Sequence, residues 1–169
     1  MLFGLLGKGK NNSPESMYVC KDKRSVSNDL VMLGEDCIAS KDFQHAITFF
    51  EKALEINPDN DFAWGGKALA LDYMKRYEEA LECYNKALGA NPNNAITWHN
   101  RGLSLASLKR LKEAVESFEK AIELNPKYAK AWYNKGRLLS KLGDTDGSQT
   151  CLNTARKLEP LLFMKLKGR

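Results

Sequence analysis

The sequence predicts an all-α fold, an α-solenoid of four stacked helical hairpins, and three observations carry that prediction. Proline recurs at Pro58, Pro92, Pro126 and Pro160, a constant interval of 34 residues. A fixed period of this length marks repeated helical supersecondary units, none of which buries its apolar face alone. Cut three residues after each proline, the chain falls into gapless blocks, 27–60, 61–94, 95–128 and 129–162. Within the blocks, small and bulky residues recur at the same places.

The fourth residue of each block is Leu30, Trp64, Trp98 or Trp132, and the eighth is Gly34, Ala68, Gly102 or Gly136. The twentieth is Ala46, Ala80, Ala114 or Ser148. The twenty-fourth is Phe50, Tyr84, Phe118 or Leu152, and the twenty-seventh is always alanine. At 3.6 residues per turn the fourth, eighth and eleventh positions share one helix stripe. A small eighth residue lets the paired helix approach, and the aromatic twenty-fourth fills space toward the neighbouring unit. Proline keeps the residue before it out of the helical region, so Asn57, Asn91, Asn125 and Glu159 mark helix ends. Helices are expected near 29–40, 44–56, 62–74, 78–90, 96–108, 112–124, 130–142 and 146–158.

This pattern, large-small-large and then alanine, aromatic, alanine and proline, closely resembles the tetratricopeptide repeat family over 136 of the 169 residues. The resemblance implies a right-handed solenoid of helix-turn-helix hairpins whose first helices line a concave groove. Members usually hold an extended peptide or a partner's helix there.

The ends depart from the repeat. Residues 1–26 form an extension with an apolar start, a polar linker, and a short helix opened by Pro14 and running through Arg24. Leu2, Phe3, Leu5 and Leu6 either dock into the groove or belong to a loose terminus. The last unit is softened by Thr145 and Ser148, as suits a cap. After it, Leu161, Leu162, Phe163, Met164 and Leu166 form an apolar stub that folds back or is covered by another molecule, continuing into a basic tail over 163–169.

Hydrophobic residues make up 43% and charged residues 28%, the balance of a folded water-exposed protein rather than a disordered one. No apolar run approaches the roughly 20 residues of a membrane span. The opening Met-Leu-Phe-Gly-Leu-Leu-Gly lacks the charged start of a signal peptide. Cys20, Cys37, Cys83 and Cys151 fit neither a zinc site nor a compact disulfide framework, which favours free thiols and a cytoplasmic setting. No glycine loop, metal constellation or nucleophile-base pair points to catalysis, a metal or a cofactor.

On the face opposite the packing stripe stand the second, fifth, sixth, ninth and thirteenth residues of each unit. The resulting candidate contacts are Met32, Phe62, Gly65, Gly66, Leu69, Tyr73, Ile96, His99, Asn100 and Leu103, followed by Lys130, Tyr133, Asn134, Arg137 and Lys141. The same face also takes in Val31 and Glu35 of the first unit. Two adjacent glycines cost about 1 kcal/mol each in a helix, so Gly65 and Gly66 make room for something. A ligand side chain and a bulky neighbouring residue are equally good candidates. His99 has no second base beside it and is expected to be a polar contact.

Net charge rises along the chain, from −5 over 27–60 through −1 and +2 to +3 over 129–162, with +3 in each terminal segment. The expected partner is therefore another protein or peptide offering an apolar stretch followed by acidic residues, held without catalysis. The two-carboxylate clamp by which some members of the family bind chaperone tails finds Asn100 and Lys130 here, but Gly65, Leu69 and Asn134 stand at its other positions, which argues against that ligand. An acidic first unit argues against nucleic acid. The alternative is a structural role, with copies joined into a homo-oligomer through apolar ends and complementary charge.

Overall fold

The computed structural model describes residues 22–161, all of it helix and turn. The apolar start of the chain, most of the helix expected after Pro14, and most of the C-terminal stub and tail lie outside the described residues. The helices are α1 (Lys23–Ala39), α2 (Phe43–Ile56), α3 (Asp61–Tyr73), α4 (Tyr77–Ala90), α5 (Ala95–Ser107), α6 (Leu111–Leu124), α7 (Ala129–Leu142) and α8 (Thr145–Leu158). They pair as α1/α2, α3/α4, α5/α6 and α7/α8, and each pair packs on the next, with α3 touching both α1 and α5. The first helices thus line the inner wall, and the second helices form the outer one.

Each predicted end is a C-cap: Asn57, Asn91, Asn125 and Glu159. Five of the eight helix starts are sealed by side chains accepting from orphan amides, while α4, α6 and α7 carry no such cap. Asn60 takes the Ala63 N–H at 3.1 Å, Asn94 the Thr97 N–H at 3.2 Å, and Asp144 the Gly147 N–H at 2.9 Å. Helix α1 begins earlier than expected, because Asp22 accepts from the Ser25 amide at 2.7 Å and caps it. Lys23 and Arg24 therefore belong to the first hairpin.

The turn inside every hairpin places its fifteenth residue in left-handed backbone. Gly143 does so at φ 88°, but Lys41, Lys75 and Lys109 do so at 64°, 62° and 63°. Each tryptophan fastens one unit to the loop before it. The indole N–H groups of Trp64, Trp98 and Trp132 donate to the carbonyls of Pro58, Pro92 and Pro126 at 2.8, 2.8 and 2.9 Å.

The aromatic twenty-fourth residues are the bolts of the stack. Phe50, Tyr84 and Phe118 are wholly buried. A methyl added at Gly34 would come within 2.6 Å of the Phe50 ring, and one at Gly102 within 2.7 Å of Phe118. The small eighth residue is thus the socket for that ring.

Candidate partner-binding groove

Three hollows on the first-helix wall share residues and form one trough. The first, about 270 Å³, lies between α1, α3 and α5 and is lined by Glu35, Asp61, Phe62, Gly65, Gly66, Leu69, Ile96 and Asn100, among others. The second, about 320 Å³, shares Leu69 and Asn100 with it and adds Asp72, Tyr73, Tyr77, Leu103, Ser104 and Ser107. The third, about 220 Å³, shares Leu103 and Ser107 with the second and reaches Asn134, Arg137, Leu138 and Lys141. Most of the expected contacts are thereby brought together, in the expected order from apolar to cationic.

The two halves differ chemically. Phe62 and Ile96 are 61% and 62% exposed, too much for core residues, and both line the first hollow. Tyr73 is held for contact by stacking on Phe43, ring centroids 4.8 Å apart. At the far end the Arg137 guanidinium lies 5.7 Å from the Tyr133 ring centroid, which steadies a cation beside the third hollow.

Several expectations need correction. Gly66 offers a ligand no room, because the Phe50 ring already occupies the place where its methyl would be. Gly65 does offer room: an added methyl would meet only the Thr97 hydroxyl, at 3.9 Å. Of the two consecutive glycines, then, one serves packing and the other opens the trough.

His99 is buried rather than a groove contact. Its ring lies 4.9 Å from Tyr128 and 5.5 Å from Phe118, and its nitrogens meet Asn100 Oδ1 at 3.2 Å and Asn134 Nδ2 at 3.0 Å. Those partners select the Nδ1–H tautomer, with Nε2 accepting from Asn134. Burial depresses the imidazole pKa, the Asn100 bond opposes this, and the Lys130 charge adds to it. Val31 is likewise buried, because α1 turns it into the seam with its neighbours. Met32 and Lys130 are exposed but lie outside the three hollows, as does half-buried Tyr133.

Among the lining side chains missed by reading five positions per unit is Asp72, the twelfth residue of its block. Its carboxylate lines the second hollow and accepts from Ser104 Oγ at 2.7 and 2.9 Å and from the Tyr84 hydroxyl at 2.9 Å. Burial raises its pKa, against the pull of the Ser104 and Tyr84 donors. A sequence signal existed: the other units carry Ile38, Ala106 and Ser140 at this place.

A further hollow, about 510 Å³, lies on the other side of the third hairpin between Trp98, Arg101, Glu116 and Lys120. Its rim mixes both signs of charge, and Arg101 is tied to Ser117 at 2.6 Å and to Asn85 at 2.9 Å.

A stack of helical hairpins with its inner wall open as a trough is the architecture of an α-solenoid. Tetratricopeptide repeat models match residues 28–60, 62–94, 95–128 and 117–150, so the chain belongs to the tetratricopeptide repeat family. No curated protein matches it. Among solved structures it is similar to MamA (41-end) from Desulfovibrio magneticus RS-1, at 25% identity and a TM-score of 0.72, over 79% of this chain and 76% of that one. PilF of Pseudomonas aeruginosa matches at 23% identity and a TM-score of 0.77, over 83% of this chain and 64% of that one. The first repeat domain of Spaghetti (RPAP3), bound to the HSP90 peptide SRMEEVD, matches at 22% identity and a TM-score of 0.68, over 70% of this chain and 94% of that one.

Proposed function

We propose that this protein is a non-enzymatic adaptor that holds an extended peptide segment of a partner protein along the trough. The continuity of the three hollows carries this reading. They form one path from exposed Phe62, Gly65 and Ile96 to Arg137 and Lys141, with no break at either unit boundary. An apolar stretch followed by acidic residues complements that path. That a peptide occupies the Spaghetti domain supports the binding mode. The clamp positions held here by Gly65, Leu69 and Asn134 favour a ligand other than a chaperone tail. Cys37, Cys83 and Cys151 are free thiols, which suits a reducing compartment such as the cytoplasm. Among the described residues no helix is long and apolar enough to cross a membrane.

Panning a random linear peptide library on the full chain tests the reading. Wild type should enrich peptides with apolar residues followed by acidic ones, and a Leu69→Asp, Arg137→Glu double variant that keeps its helical circular dichroism should lose them. Equal enrichment by both forms, or none by wild type, contradicts it.

A further inference from the structure

We propose that Asp72 is the floor of a cation subsite that takes a lysine or arginine side chain of the bound segment, between its apolar and acidic parts. The inference rests on the peptide-binding reading above and adds a third recognition element to it.

Position comes first. Asp72 lines the middle hollow, which joins the apolar hollow through Leu69 and the cationic one through Leu103. A segment following the trough passes over it.

Chemistry comes second. An ionised carboxylate offers about four acceptor sites. Here it receives one proton from Ser104 and one from Tyr84. Both donors are neutral, and no ion pair among the described residues includes Asp72. Acceptor capacity toward the hollow is therefore left over. A partly desolvated carboxylate without a counter-ion is unfavourable, and a neutral side chain would serve the two hydroxyls as well. The charge makes sense if a cation arrives from outside.

Shape comes third. The hollow, about 320 Å³, has Tyr73 and Tyr77 among its walls, and aromatic faces near a carboxylate suit an ammonium or guanidinium group. Among the described residues, the cations lining the three hollows are Arg137 and Lys141, in the next hollow, so a charge of the partner is free to fill this one.

The same panning tests the subsite when read position by position, with an Asp72→Asn variant alongside. Wild type should enrich lysine or arginine at one position between the apolar and acidic residues. Replacing that residue by glutamine in a recovered peptide should weaken binding to wild type about tenfold, the scale of one charge-assisted hydrogen bond, and to Asp72→Asn by less than about threefold. Asparagine still presents an acceptor to the two hydroxyls, so the stack should survive. Glu116→Gln, which removes a carboxylate from the hollow on the other side of the third hairpin, should retain the basic preference and serves as the second variant. Peptides recovered with no basic preference overturn the subsite and leave the adaptor reading standing. A basic preference that persists in Asp72→Asn also overturns the subsite. Failure to recover any peptide overturns both.

Discussion

Gly65 and Gly66 are neighbours on one turn of α3, yet a methyl group has opposite consequences at each. At Gly66 it collides with the buried Phe50 ring, so Gly66→Ala should lower stability by about 1–3 kcal/mol, the usual cost of overpacking, as read by urea unfolding. At Gly65 it makes only an ordinary contact with the Thr97 hydroxyl at 3.9 Å, so Gly65→Ala should raise stability by about 1 kcal/mol through helix propensity while weakening peptide binding, because it narrows the first hollow. His99 makes a third residue-scale prediction. Its folded pKa lies below the ordinary 6.5, chiefly through burial, so the unfolded chain takes up the proton more readily. Stability is then complete above that ordinary value and is lost as pH falls through it toward the folded pKa. The groups facing the ring are Asn100, Asn134, Phe118 and Tyr128, with Lys130 acting at longer range. A His99→Gln variant should lose this part of the acid-side decline below the ordinary 6.5, measured by urea unfolding on both sides of that value. Sequence spacing put His99 on the groove face, but spacing cannot register that the next unit's Asn134 and the loop residue Tyr128 close over the ring.

At the scale of elements, the hairpin turns hold strain that the sequence pattern conceals. Lys41, Lys75 and Lys109 occupy left-handed backbone that Gly143 adopts without a Cβ penalty. Replacing any one of these lysines by glycine should raise stability by about 0.5–1 kcal/mol, measured by thermal melting, and the three gains should add because the turns lie in separate hairpins. Helix ends were legible because the asparagines and Glu159 stand ahead of the prolines, where proline geometry forbids continuation. The start of α1 was not legible. Between Pro14 and Ser27 no proline or tryptophan punctuates the chain, and the cap at Asp22 becomes visible only through its bond to the Ser25 amide.

For the whole molecule, the 34-residue period translated directly into architecture, because each unit repeats the same sockets and bolts, Gly34 for Phe50 and Gly102 for Phe118. The trough was only partly legible. Positions counted within one unit found Phe62, Leu69, Leu103 and Arg137, but the link between hollows runs along the seams between units. There Asp72 of α3 meets Ser104 of α5, a contact 32 residues apart in sequence that no count within a block anticipates. The charge gradient runs in the same sense as the trough, so it favours one orientation of a dipolar segment on approach. Salt screens that steering beyond about 8 Å at physiological strength. The most direct test of the trough as a single binding surface is side-chain NMR mapping of the full chain titrated with a peptide recovered by panning. The account predicts saturable shifts at Phe62, Leu69, Ile96, Leu103 and Arg137 together, with one dissociation constant. Shifts confined to the opposite hollow, at Trp98, Glu116 and Lys120, or split between unrelated affinities, would contradict it.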